Sequence, residues 1–417
     1  MRRLRVAIVS QYYPPEIGAP QARVLETARA FVRRGHRVTV LTGFPNHPTG
    51  VVPTRFQGRL AACEREPGVR VERGWLAATR NRGVLRRIWA HGTCAMSSFV
   101  RGLAGGGGAD VFVATSPPLF TGLAGLLLAR LHRRPFVLEV RDLWPDAFVD
   151  LGLAKEGRVV GAFRRLERFL YARADHVVPV TEAFSSHIGE AGVEPARRTV
   201  VMNGVELTRF DPHADPVAAK RSLGLTGRFV VLYLGAHGVA QGLDALIPAA
   251  ALSGRDVTFL FVGEGAEKER VVAAAGASKG DVRFLDGVPR ERVAALYAAA
   301  DVCLVSLRPT PLMEAFLPSK AFEAFGAGRP VVAAVAGEAK ALLERGQGAI
   351  VVPPGDAKAL ATAIASLAAD PAKTRALGQA ARARAEREFD RDALAGRYLA
   401  VLSSVVEAAR RRRRRGA

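Results

Sequence analysis

An α/β chain of two Rossmann-like, doubly wound domains is what this sequence predicts, on three observations. Its 417 residues exceed what one ordinary core encloses and suit two domains of roughly 200 residues each. Short runs rich in Val, Ile and Leu alternate with longer helical patterns, and runs that are apolar nearly throughout belong to parallel sheets covered on both faces. The alternation occurs in two series, on either side of NGVELTRFDPHADP at 203–216, where turn formers and prolines interrupt it.

The first strand is RVAIVS at 5–10, whose apolar run at 6–9 is too short for the core of a secretory leader. A helical pattern at 22–34 follows, then strands HRVTVLTG (36–43), DVFVATS (110–116), PFVLEV (135–140) and DHVVPVT (175–181). Between the third and fourth lies the most apolar stretch, 119–131, which holds Thr121, two glycines and Arg130. It falls short of the roughly 20 residues of a membrane span and reads as a buried helix at 118–131. The second series comprises FVVLYLG (229–235), VTFLFVG (257–263), VRFLDG (282–287), DVCLVSL (301–307), PVVAAV (330–335) and GAIVVP (348–353), with helical patterns at 293–300 and 357–369. A last helix, 391–410, has no strand after it and is expected to pack back on the first domain. The reading is therefore an N-terminal domain at 1–205, a C-terminal one at 206–390 and a polybasic tail at 410–417.

Composition narrows the class. With 49% hydrophobic and 24% charged residues the chain is globular rather than disordered. Cys63, Cys94 and Cys303 are odd in number and far apart, so neither a disulfide framework nor a zinc site is indicated, which fits a reducing cytoplasm. The net charge of +21 reflects in part a general preference for arginine, but the unbroken run Arg410 to Arg415 is distinct. Such a run can lie on an anionic bilayer, bind nucleic acid through phosphates, or stay solvated. It carries no interleaved aromatics, so specific nucleic-acid binding is not expected.

The segment PSKAFEAFGAGRPVV at 318–332 is the most informative one. Ser319 and Lys320 open a helix, where unpaired amides and the helix dipole favour an anion, and Glu323 stands about a turn deeper to accept from sugar hydroxyls. This suggests a nucleotide-sugar site; a surface loop with an ordinary amphipathic helix is the alternative. Ligands of open parallel sheets bind at the carboxyl ends of the strands. After the first strand comes Gly18 at a helix start, without the G-x-G-x-x-G of a dinucleotide site. After PFVLEV, the residues Arg141, Asp142, Trp144 and Asp146 crowd together and suit a sugar acceptor, with Asp142 as polar contact or proton acceptor. In the second domain Gly235 and Gly238 permit close approach of a phosphate to which His237 could donate, unless His237 is merely an exposed loop residue. The glycines of VGEG at 262–265 mark backbone close either to a ligand or to a neighbouring element. Arg308 is expected to pair with Lys320 on a diphosphate.

Taken in order, QYYPPEIGAPQARVLETARAF, GHRVTVLTGFPNHPTG, VRDLWPD, LGAHGVAQGLDALI and PSKAFEAFGAGRPVVA resemble a retaining glycosyltransferase of sequence family four, with the GT-B architecture of two facing Rossmann-like domains. More narrowly, the chain is similar to the branch of N-acetyl-L-fucosamine transferases and colanic-acid glycosyltransferases. The resemblance implies that Glu323 matches the second glutamate of E-x7-E and holds the donor ribose. Gly287 and Val288 match the stretch receiving the nucleobase, Gly18 the loop facing the donor phosphates, and Asn203 with Gly204 the segment at the domain junction. The first glutamate of that motif would fall at Ala315, with Glu314 one residue out of register. The usual pyrophosphate-binding Arg and Lys are here Ala236 and Gln241, which shifts that role to Ser319, Lys320 and Arg308.

The implied reaction is retaining transfer of a hexosyl or N-acetylhexosaminyl group from a nucleoside-diphosphate sugar, UDP favoured, with neither cofactor nor metal. The implied acceptor is a polyprenyl-diphosphate-linked saccharide in bacterial cell-surface polysaccharide biosynthesis, lipopolysaccharide included. Asp142, Lys320 and Arg308 are the candidate catalytic residues, and Glu16, Arg141 and Trp144 the candidate acceptor contacts. The expected location is the cytoplasm, peripheral to the inner face of the plasma membrane through the basic residues. Two rivals stand beside this reading: a GT-B-type nucleotide-sugar epimerase, which needs no acceptor pocket, and a non-enzymatic membrane or nucleic-acid adaptor.

Overall fold

Two sheets organise the computed structural model, which describes residues 2–16, 18–47, 49–79, 84–211 and 214–415. The chain divides into one unit of residues 1–202 plus 391–417 and a second of residues 203–390. The N-terminal unit runs β1 (Arg5–Val9), α1 (Ala19–Arg33), β2 (Arg37–Gly43), β3 (Ala61–Glu66), β4 (Val69–Gly74), α2 (Val84–Gly105), β5 (Val111–Ser116), α3 (Leu119–Leu131), β6 (Phe136–Val140), α4 (Asp146–Asp150), α5 (Arg158–Arg173), β7 (His176–Pro179) and α6 (Glu182–Glu190). The C-terminal unit runs α7 (Pro216–Ser222), β8 (Phe229–Leu234), α8 (Ile247–Leu252), β9 (Val257–Val262), α9 (Lys268–Gly276), β10 (Asp281–Leu285), α10 (Arg290–Ala299), β11 (Val302–Ser306), α11 (Ser319–Gly326), β12 (Val331–Ala334), α12 (Gly337–Glu344), β13 (Ala349–Val352), α13 (Ala357–Ala369) and α14 (Pro371–Arg384). The last helix, α15 (Arg391–Arg415), belongs to the N-terminal unit.

In the N-terminal unit the strand order is β3-β4-β2-β1-β5-β6-β7, and only β3 runs antiparallel to its neighbour. β1 is central: Val6 pairs with Val38 on one side and Val111 on the other. Alternate strand residues go to opposite faces. Val6, Ile8, Val40 and Val113 share a core with Phe31 of α1 and with Leu394, Tyr398 and Leu402 of α15. On the other face Gly125 lets α3 lie flat on the sheet, since a Cβ there would come within 2.8 Å of the Ala114 side chain. The C-terminal unit orders its strands β10-β9-β8-β11-β12-β13, all parallel, so the chain reverses its direction of travel between β8 and β11. A crevice at the carboxyl ends of those two strands is where such sheets hold ligands.

Two departures from the sequence reading have physical causes. The hairpin β3–β4 carries alternating charges and offers no apolar run, yet Glu72 is 0% exposed and Arg73 2%. Each is neutralised in place: Glu72 by Arg70 and Arg101, Arg73 by Glu64 at 2.6 Å. The polybasic run, expected as a tail beyond a helix ending at 410, instead continues α15 as far as Arg415. Arg410 bonds Asp110 at 3.0 Å, Arg412 stands 3.9 Å from Asp175, and Gly416 and Ala417 lie outside the described residues.

Helix α1 is clamped on both sides by buried charge. Arg23 donates from Nε to Glu139 of β6 at 2.9 Å, with both side chains about 5% exposed, and its two terminal nitrogens each donate to a backbone oxygen, of Met202 and Val201, at 3.1 Å. Glu26 meets Arg391 at 3.0 Å where α15 begins. Removing one member of a buried pair strands the other, so Arg23→Met is expected to destabilise the N-terminal unit by about 3–5 kcal/mol in denaturant unfolding. The double variant Arg23→Met, Glu139→Leu should recover part of that loss.

Candidate functional site

The loop after β8 and the start of α11 meet at the crevice of the C-terminal sheet. Lys320, second residue of α11, places its ammonium 3.7 Å above the Tyr233 ring and donates to the Tyr233 hydroxyl at 2.5 Å. That hydroxyl donates in turn to the Ala236 oxygen at 2.7 Å, so the strand end, its loop and the helix start are tied in one relay. Gly235 (φ 147°) is required here: a Cβ would sit 3.2 Å from the Lys320 ammonium. Burial pushes the Lys320 pKa down to about 7, with Glu323 pulling the other way. Ser319 precedes Lys320 and is half-buried at the same helix start. Glu323, half-buried one turn on, accepts from the Tyr297 hydroxyl at 3.1 Å and lies 3.8 Å from Arg209.

Arg308 does not join Lys320 as expected. Its Nε donates to the Val239 oxygen at 2.6 Å, and its guanidinium lies 3.6 Å from Glu267 and 3.9 Å from Asp244. Those carboxylates draw the long side chain across the 238–244 loop, which it braces. Gln241 closes the same loop by accepting from the Gly238 amide at 3.2 Å.

His237 is fully buried, which rules out the exposed-loop reading. It lies among Tyr233, Phe261 and Phe284, and neither ring nitrogen finds a hydrogen-bond partner among the described residues. Burial, reinforced by Lys268 and Lys320, pushes its pKa down to about 4, so the ring is neutral at neutral pH and has one N–H to give. The glycines of VGEG serve the neighbouring loop: a Cβ on Gly263 would strike the Gly235 oxygen at 1.9 Å, and one on Gly265 the His237 oxygen at 2.2 Å. Glu264 between them accepts from the Gly287 amide at 3.3 Å, so Gly287 and half-buried Val288 hang on the same scaffold as His237. Asn203 is half-buried at the start of the C-terminal unit.

At the carboxyl ends of the N-terminal strands, Arg141 and Asp142 follow β6. The Asp142 Oδ1 and Arg141 Nε have no hydrogen-bond partner among the described residues, although both atoms are buried. Burial pushes the Asp142 carboxyl up to about 7, with Arg141 opposing, and lowers the pKa of Arg141 itself, opposed by Glu139 at 3.9 Å. Trp144 packs edgewise on Phe163 at 4.8 Å and on His91 at 6.4 Å, so much of its ring is spent on neighbours. Gly18 is exposed and starts α1.

Glu16 corrects the sequence reading. Its oxygens accept from the Asn46 and His47 amides at 2.9 Å and the Tyr13 amide at 3.3 Å, so it staples the loops after β1 and β2 rather than reaching for an acceptor. The cluster also contains groups the sequence reading missed. His91 of α2, pushed down to about 4 by burial and by Arg87, has no partner for Nδ1 among the described residues. Half-buried Tyr12 packs against His47 at 5.4 Å, and burial raises its pKa. No spacing or charge pattern marks either residue, because the fold alone brings α2 beside these loops.

Comparison with known proteins gives a consistent picture. Residues 18–204 match the model of the glycosyl transferase 4-like domain, and residues 228–370 that of glycosyl transferases group 1. The putative colanic acid biosynthesis glycosyl transferase WcaI of Escherichia coli K12 is 28% identical over 76% of this chain and 80% of its own length. Among solved structures, Anabaena HepE in complex with UDP-glucose superposes with a TM-score of 0.71 at 21% identity, over 96% of this chain and all of that one. WaaG, involved in lipopolysaccharide biosynthesis, gives 0.65 at 17% identity, over 94% of this chain and 98% of that one.

The raised carboxyl at Asp142 has a measurable signature. Its folded pKa of about 7 exceeds the ordinary 3.8, so the folded state keeps a proton that the unfolded state releases between those values. Stability from this group is full below about pH 4 and lost as pH rises through 7, with a slope of at most about 1.4 kcal/mol per pH unit. Asp142→Asn should abolish that part of the slope in denaturant melts taken across pH 4 to 8.

Proposed function

Because this chain belongs to the glycosyltransferases defined by those two models, one on each unit, we propose that it transfers a sugar with retention from a UDP-sugar to a lipid-linked saccharide in building bacterial surface polysaccharide. The observation that carries the donor half is Lys320. A cation is held at the start of α11, in the crevice between β8 and β11, over a loop whose glycine backbone admits a phosphate. UDP is favoured because HepE, of the same fold, binds UDP and UDP-glucose. The saccharide context follows the relatives WcaI and WaaG, whose names carry colanic acid and lipopolysaccharide biosynthesis.

In the proposed reaction the bond between the sugar's anomeric carbon and the donor diphosphate breaks, and a bond to an acceptor hydroxyl forms on the same face. The hydroxyl proton leaves with that attack, to the Asp142 carboxylate or to a departing phosphate oxygen. Lys320 and the amides at the start of α11 stabilise the charge on the leaving diphosphate, an electrostatic contribution realised as the bond breaks. Ser319 adds a hydroxyl beside them. His237 supplies one neutral N–H toward the donor, Glu323 takes the ribose hydroxyls, and Gly287, Val288 and Asn203 complete the donor's surroundings. Arg308 acts by bracing the 238–244 loop. Asp142, Arg141 and the exposed part of Trp144 serve the acceptor, with Gly18 on the loop after β1.

No helix among the described residues is long and apolar enough to cross a membrane. Contact with the inner membrane surface through basic residues is part of the proposal, and the exposed arginines after Arg410 are one source of it. Deleting 410–417 should reduce sedimentation with anionic vesicles at low salt; unchanged sedimentation removes the tail from the proposal.

Two measurements test the reading. At about 100 times its Kd, UDP should raise the melting temperature by roughly 5 °C, from about 2.7 kcal/mol of linkage, while GDP and ADP do less. Glu323→Ala and Lys320→Met should each cut the shift sharply; a folded protein indifferent to every nucleotide would overturn the donor assignment. Since Lys320 is half-deprotonated near pH 7, a diphosphate should draw a proton onto it above that pH. Titration calorimetry at pH 8 in two buffers of different ionisation enthalpy should register uptake approaching one proton, absent in Lys320→Met. If Asp142 takes the acceptor's proton, transfer should accelerate as pH rises through about 7, and Asp142→Asn should lose that rise along with roughly 10²–10⁴ in rate.

A further inference from the structure

Helix α2 is amphipathic with its apolar stripe turned outward. Trp89 and Met96, each 64% exposed, stand on one face with exposed Val100 and Leu103, spaced seven, four and three residues apart. The inward face is made of small groups: Ala90, Cys94, Ala95 and Ser98 are buried. Exposed Leu127 and Leu131 of α3 widen the stripe. The two helices abut at their C-terminal ends, where a Cβ on Gly102 would come within 2.5 Å of Leu128 and His132 Nε2 lies 3.2 Å from the Gly102 oxygen. So broad an exposed apolar surface on a folded unit calls for a partner.

Charge identifies the partner. Neither α2 nor α3 contains a single Asp or Glu, while Arg86, Arg130 and Arg133 stand exposed around the stripe. An indole and aliphatic side chains ringed by arginines, with no acid among them, match the boundary layer of a bilayer carrying anionic lipid. The arrangement also has a direction. The N-terminal end of α2 supplies His91 and Arg87 to the cluster around Trp144, Phe148 and Tyr12, so one helix joins this face to the candidate acceptor site.

We propose that the exposed face of α2 and α3 docks this protein on an anionic membrane surface, seating Trp89, Met96, Val100 and Leu103 among the headgroups. The face is made of other residues than the arginines at the end of α15, of which Arg410 bonds Asp110 and Arg412 stands 3.9 Å from Asp175, at the amino ends of β5 and β7 where α2 and α3 also finish. The face stands on its own exposure and charge; only its use in presenting a lipid-linked acceptor rests on the proposed function.

The test is co-sedimentation of the full chain with vesicles of phosphatidylcholine alone or with roughly a third phosphatidylglycerol. Wild type should bind the anionic vesicles, with a blue shift of tryptophan emission, and Met96→Glu with Val100→Glu should lower partitioning about tenfold or more. Both positions are exposed, so the variant should keep its melting temperature and its UDP-induced shift, which separates failure of docking from failure of the donor reading. Binding equal to wild type in that variant, or binding abolished by deleting 410–417 alone, overturns the proposal. So does light scattering that shows a dimer dissociated by the same substitutions, since the face would then be covered by a second copy.

Discussion

The N-terminal unit depends on a charge that has been taken out of water. Arg23 lies within the layer between α1 and the sheet, and a lone guanidinium there would be prohibitive. Glu139 on β6 and the Val201 and Met202 carbonyls absorb it, so the pair fixes the register of α1 against a strand two places from β1 and pins the last residues before the C-terminal unit begins. Arg141 and Asp142 follow two and three residues after Glu139. Their position at the strand end, with burial that raises one pKa and lowers the other, is inherited from that anchorage.

The two candidate sites solve opposite problems by the same means. In the C-terminal unit a cation is kept where burial weakens its charge, so the resting site carries little uncompensated charge and gains it when an anion arrives. In the N-terminal unit a carboxyl is kept where burial holds its proton. Both groups thus sit near their transition at neutral pH, the condition under which a side chain exchanges a proton or charge most readily. His237 and His91 differ: burial holds them neutral, which suits them to hydrogen bonding in a fixed sense rather than to proton transfer.

The strands of both sheets were legible because buried parallel strands are apolar nearly throughout, as in FVVLYL and VTFLFV. β3 and β4 were not, because their burial is achieved by ion pairs that look exposed in a one-dimensional reading. Helix α2 escaped notice for the inverse reason, since Trp89, Met96, Val100 and Leu103 face outward while small Ala90, Cys94, Ala95 and Ser98 face inward. Lys320, Ser319 and Glu323 were legible from a helix start, where position dictates direction. Arg308 and Glu16 were not, because a long or loop-borne side chain goes where its partners are, and Glu267, Asp244 and the Asn46 and His47 amides lie far away in sequence.

Helix α15 has a consequence for how the chain comes into being. Its residues Leu394, Tyr398 and Leu402 complete the core that α1 and β1 begin, nearly four hundred positions earlier. A ribosome making this protein releases the whole of the 203–390 unit before the N-terminal unit receives its closing layer. Through that interval Phe31 and its neighbours on α1 lack their cover, so the part synthesised first is the part finished last. Closure of the N-terminal core therefore waits on α15, which follows the whole of the 203–390 unit in the chain.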